Sequence, residues 1–89
     1  MRGVVAKAGP GPFRRVSRSL RIGGHATSIQ LEAAFWQAID AMAEREGLTT
    51  PKLLAALHAE TAEHQGDVSN FASTLRTICL LYHQGAAPG

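Results

Sequence analysis

Six basic residues, Arg2, Lys7, Arg14, Arg15, Arg18 and Arg21, stand in the first 31 positions with no acid among them. A basic front of this kind attracts an anionic partner, most often nucleic acid. Residues 32–89 carry Arg45, Lys52 and Arg76 against Glu32, Asp40, Glu44, Glu46, Glu60, Glu63 and Asp67, so an acidic body sits behind a basic front although the net charge is only +2. The plain alternative is a solvated tail whose charge aids solubility.

Residues that do bond-making chemistry are present but not assembled. His25, His58, His64 and His83 have no metal-ligand spacing, and His58 and His64, six apart, do not share a helix face. The single cysteine, Cys79, excludes an internal disulfide and a cysteine-built zinc site. It lies in a strongly periodic stretch, as an inert, partly buried thiol does. Glu44 and Glu46 cannot converge from one helix. Gly23-Gly24 is a turn signal rather than a phosphate loop. Phe35 and Trp36 have the ring area to stack a base, but their helical spacing with Ile39 and Met42 reads as core or dimer packing. The expectation is no catalytic group, no metal, no cofactor and no enzyme.

These residues need elements to hold them. Residues 1–16 read as a flexible basic arm, because Gly3, Gly9, Pro10, Gly11 and Pro12 break every period. In 17–31, Thr27, Ile29 and Leu31 alternate with Ala26, Ser28 and Gln30 as a strand does. Parity fails across Gly23-Gly24, which predicts a turn or bulge there. Phe35, Ile39 and Met42, widened by Trp36 and Ala43, predict a helix over 32–46, with Glu32 in its first turn and Gly47 after its end. Thr50 as cap and Pro51 as first residue predict a second helix to about His64, its apolar side Leu53, Leu54 and Leu57. Asp67 or Ser69 would cap a third helix, to about Gln84, striped by Phe71, Leu75, Ile78 and Tyr82.

With 89 residues the chain makes one domain. A chain of this size buries only about 60–65% of its unfolded surface, and pairing with a second copy is a common way to enlarge such a core. No run approaches the roughly 18 apolar residues of a membrane span. The start lacks the apolar segment of a secretory signal, and a reducing cytoplasm is the expected location.

The stretch ATSIQLEAAFWQAIDAMAEREGLTTPKLLAALHAE, residues 26–60, resembles the ribbon-helix-helix DNA-binding family. The likeness lies in an alternating strand ending in Leu, an amphipathic helix, a Gly-Leu-Thr junction and a second helix. It is more specifically similar to the branch with an SLRI-like segment before the strand, a Phe-Trp pair and an added C-terminal helix, and it extends over about 18–83. The resemblance implies a mainly helical fold with a short β element, an intertwined homodimer and a third C-terminal helix. It divides the chain into the arm (1–16), the ribbon-helix-helix domain (17–65) and the additional helix and tail (66–89).

On that resemblance the chain is a small bacterial transcriptional regulator whose paired strands enter the major groove of double-stranded DNA. Ala26, Ser28 and Gln30 would face the bases; Arg14, Arg15, Arg18 and Arg21 would draw in phosphates; Thr49, Thr50 and Lys52 would hold a phosphate at the second helix. Ile29, Leu31, Phe35, Trp36, Ile39 and Leu54, with Thr27, would form the dimer core. Two features depart from the family pattern. Ala26 brings no polar group to the groove face, and SNFASTLRTICLLYH also looks like a family second helix. The segment before the strand either compensates with its arginines or pairs beside the ribbon and blocks the groove. The rival expectation is an interaction or assembly module, antitoxins included, that meets a protein partner or forms a higher oligomer through its C-terminal helix.

Overall fold

Alternation of polar and apolar residues on both sides of Gly23-Gly24 makes a β-hairpin, and three amphipathic helices pack on one of its faces. The computed structural model describes Gly9, residues 11–66 and residues 70–83. A 3-10 turn, Gly11–Phe13, leads into β1 (Arg15–Ile22) and β2 (His25–Glu32), followed by α1 (Ala33–Arg45), α2 (Thr50–Gln65) and α3 (Phe71–His83). The strand register pairs Val16 with Leu31, Arg18 with Ile29, Leu20 with Thr27 and Ile22 with His25. A two-stranded antiparallel ribbon is thus present within one chain, as the alternative in which the preceding segment pairs beside the strand expects. The partner of β2 is the preceding segment of the same chain, and it begins at Arg15, inside the stretch expected to be a free arm. Residues 1–8 of that arm lie outside the described residues.

The turn explains the broken parity. Gly23 and Gly24 have φ of +60° and +82°. Two consecutive positive φ values are what a twist-matched two-residue hairpin turn needs, and only glycine adopts them freely. The reversal puts Leu20 and Ile22 on the same face as Thr27, Ile29 and Leu31.

That face is the floor of the core. Ile22, Ile29, Leu31, Trp36, Ile39, Met42, Ala43, Leu53, Leu54, Phe71, Leu75 and Cys79 are all buried. Of the residues expected in a dimer core, Ile29, Leu31, Trp36, Ile39 and Leu54 are buried by their own chain, and Phe35 is partly buried beside α3. A hairpin plus three helices supplies in cis what a lone strand lacks.

The helix ends follow their residues. At the end of α1 the Leu48 N–H donates to the Ala43 carbonyl (2.9 Å) and the Gly47 N–H to Glu44 (3.1 Å), the two bonds of a Schellman end, with Gly47 at φ +70°. Glu32 is the N-cap residue of α1 rather than a first-turn acid, and its side chain makes no cap bond. The cap of α2 is one residue earlier than expected: the Thr49 hydroxyl accepts from the Lys52 N–H (3.3 Å), leaving Pro51 as the second helical residue. Pro51 lacks an N–H, so that position wastes no donor. Asp67 and Ser69, the expected caps of α3, lie outside the described residues; the Asn70 side-chain oxygen accepts from the Ser73 N–H there at 3.4 Å.

Leu31→Ala is expected to lower unfolding free energy by about 2–5 kcal/mol. Gln30→Ala, one residue away on the opposite face, is expected to change it by about 0.5 kcal/mol or less. Urea midpoints followed by Trp36 fluorescence measure both, and equal effects would contradict the two-faced hairpin.

Candidate nucleic-acid interface

The outward face of the hairpin carries Arg15, Ser17, Ser19 and Arg21 from β1 and Ala26, Ser28 and Gln30 from β2, all exposed. The register places Arg15 beside Glu32, Ser17 beside Gln30, Ser19 beside Ser28 and Arg21 beside Ala26. The Ser17 and Ser28 hydroxyls are 3.1 Å apart. Arg21 donates to the Gly24 carbonyl (3.3 Å), which holds its guanidinium near the turn. Arg14 is exposed just before β1. The largest apolar side chain on this face is the methyl of Ala26. It is therefore a mainly polar surface on a regular scaffold, basic at Arg14, Arg21 and Arg15, the last beside Glu32.

Arg18 stands apart from the other arginines. Strand alternation turns it to the inner face, where it donates to both carboxylate oxygens of Asp40 at 2.9 and 3.0 Å. Its guanidinium also lies 4.5 Å from the ring centre of Trp36, within the range of a cation–π contact. The Trp36 indole N–H donates to the Val16 carbonyl at 2.8 Å. Asp40 accepts a third bond, from the Thr50 hydroxyl, at 2.8 Å. The Arg18 hydrogen bonds, followed by that of Thr50, hold the Asp40 carboxyl below its ordinary range, against an opposing push from partial burial. The same pairing raises the Arg18 pKa. Glu32 is likewise held low, chiefly by Arg76 of α3, which donates to its two oxygens at 3.0 and 3.3 Å.

The start of α2 offers a second polar surface. Lys52 and Thr49 are exposed, and Thr50 is partly so. The Lys52 N–H goes to the Thr49 hydroxyl and the Thr50 hydroxyl goes to Asp40. An anion here would meet the backbone N–H groups of Thr49 and Thr50 and the Lys52 ammonium.

The sequence pattern of the ribbon-helix-helix domain matches residues 15–83, which takes in both strands and all three helices. The chain belongs to the ribbon-helix-helix domain family. Among solved structures it is similar to an uncharacterized protein from Bordetella pertussis Tohama I. The two are 33% identical with a TM-score of 0.85, over 97% of this chain and 72% of the other. No curated protein matches the sequence.

Of the remaining candidates in this ribbon-helix-helix chain, Cys79 and His58 are packed against the fold. Cys79 is buried, and burial pushes its thiol pKa up. His58 packs edge-on against Phe71, ring centres 5.0 Å apart. His25, His64 and His83 are exposed. Among the described residues no group of three His, Cys, Asp or Glu is placed to hold a metal ion, and no helix is long and apolar enough to cross a membrane. Sequence reasoning missed Asp40 and the Glu32–Arg76 pair. Asp40 was within reach: it is four residues after Trp36, hence on the same side of α1. Arg18 shares strand parity with Leu20 and Ile22, so the turn alone determines that it points inward.

Asp40 titrates lower in the folded chain than in the unfolded one. Its stabilisation is therefore present above the ordinary carboxylate value of about 4 and is lost as pH falls through the depressed folded value. Asp40→Asn is expected to lower the urea midpoint at neutral pH, and its gap to the native sequence should close as acid protonates Asp40. A gap that stays constant with pH would contradict this.

Proposed function

We propose that this chain is a homodimeric DNA-binding protein, a bacterial repressor or autoregulator, that sets a β-ribbon in the major groove. The observation that carries the reading is the outward face of the hairpin, polar and basic while its reverse is packed in the core. Membership of the ribbon-helix-helix family supports it. Its place of work is the cytoplasm, and it is no enzyme.

The register suggests how two copies meet. The pair flanking a two-residue turn, Ile22 and His25, is hydrogen-bonded, and bonded pairs alternate thereafter. This turns the backbone N–H and C=O of Ala26, Ser28 and Gln30 away from β1, to the second edge of β2. Among the described residues that edge has no partner strand. An open edge recruits another strand, and here its outward side chains are small or uncharged. Antiparallel pairing about Ser28 brings Ser28 against Ser28 of the second copy and Ala26 against Gln30.

Four strands then lie side by side, about 14 Å between the outer axes at about 4.8 Å per spacing. The major groove is about 12 Å wide. The central β2 pair fits it, with Gln30 suited to adenine and Ser28 to any base. The β1 strands come to the rims, where Arg15 and Arg21 meet phosphates. Arg14 adds charge, and Thr49, Thr50 and Lys52 hold a further phosphate.

A second reading keeps the same fold as a protein-interaction or assembly module, antitoxins included, with DNA contact weak or absent. The exposure of Leu80 and Leu81 on α3, 59% and 46%, favours it.

Selection of duplexes from a random pool, followed by anisotropy titration at several salt concentrations, separates the readings. The DNA reading expects a selected subset bound with steep salt dependence. No selection above bulk DNA supports the module. Gln30→Ala is expected to cost about 1–3 kcal/mol of discrimination at one base pair. Arg21→Ala is expected to weaken all sequences alike and reduce the log–log salt slope by about 0.9 per lost phosphate contact.

A further inference from the structure

We propose that Arg18 is a positioning residue for DNA recognition: without touching DNA, it fixes the base-facing hairpin relative to the start of α2. The proposal rests on the DNA reading above. Arg14, Arg15 and Arg21 are exposed, whereas Arg18 is turned inward and its side chain is only 37% accessible. Both ends of its fork are committed to Asp40, and the plane of the fork lies against Trp36. Trp36 is itself buried and tied to β1 through the Val16 carbonyl. The hairpin is therefore anchored to α1 at two inward positions of one strand, Val16 and Arg18.

Asp40 passes the anchor on. The oxygen that accepts from Arg18 Nη1 also accepts from the hydroxyl of Thr50, the first residue of α2. One carboxylate thus sets the sheet and the start of α2 in a fixed relation. These are the two surfaces that a rigid duplex must meet together, one at base edges and one at phosphate. Recognition of this kind demands placement to within about 0.5 Å. A partly exposed ion pair adds little to stability, so its geometry is the larger contribution. Lysine keeps the charge but cannot reproduce the planar two-pronged contact.

The test uses the full chain and a duplex selected from a random pool, alongside an unrelated duplex of the same length. Arg18→Lys and Thr50→Val are each expected to weaken binding to the selected duplex by about as much as one mismatched base pair, roughly tenfold. For Arg18→Lys, binding to the unrelated duplex and the salt slope should stay as in the native sequence; for Thr50→Val, which lies at the phosphate site and keeps its backbone N–H, the readout is the ratio of affinities for the two duplexes. Thr50→Val keeps the ion pair intact, so it reports on the linkage even if Arg18→Lys unfolds. Two outcomes overturn the proposal while leaving the DNA reading standing: undiminished selectivity in both variants, or equal loss on both duplexes. Equal loss with a shallower slope would make Arg18 a phosphate contact; equal loss with a lower melting temperature would make it a fold contact. Failure of the native chain to select any duplex overturns both.

Discussion

Asp40 sits where the hairpin, α1 and α2 meet, and it accepts bonds from Arg18 and Thr50. The carboxylate is partly exposed, so these bonds matter more for the geometry they set than for the stability they add. Arg18 supplies the counter-charge and covers the Trp36 ring at the same time. The outward face of the hairpin can be polar but for the methyl of Ala26 because this inner contact and the packing around Leu31 hold the sheet from behind. A second bidentate pair, Arg76 with Glu32, joins α3 to the junction between β2 and α1. Thus α1 is tied at its N-cap residue to α3 and near its middle to β1, each by an arginine fork, and apolar burial surrounds both contacts.

The division of labour among the arginines follows from strand geometry. A period of two sends Arg15 and Arg21 outward with Ser17 and Ser19, and sends Arg18 inward with Val16, Leu20 and Ile22. Residues adjacent in sequence and alike in charge therefore take different roles. The acidic residues Glu44, Glu60 and Glu63 are exposed on the helices. The result is a domain with arginines on its sheet face and acid spread over its helical side.

Much of this was legible in the sequence. The alternation of 26–31, the stripe through Phe35, Ile39 and Met42, and the Gly47 end all appear where their residue types require, as does the Gly-Gly turn. The partner of β2 was not legible in the same way. Local pattern says that a strand has a buried face but not which segment pairs with it, and Arg15 and Val16 looked like arm because Gly and Pro crowd just before them. The cap of α2 moved by one residue because Thr49 and Thr50 both suit it; the Thr50 hydroxyl is drawn off to Asp40. Tertiary partners of this kind, Arg18 with Asp40 or Glu32 with Arg76, are 22 and 44 residues apart, beyond any local pattern.

The central claim is that the outward hairpin face meets DNA. A nitrogen-15 NMR titration of the full chain with a selected duplex tests it most directly, because the relevant side chains carry their own N–H signals. The account predicts shifts at the Gln30 side-chain amide and at Arg15 and Arg21 Nε. The Trp36 indole signal, buried on the reverse of the sheet, should remain in place. Shifts confined to the backbone amides around Leu80 and Leu81, with the hairpin signals unmoved, would contradict it.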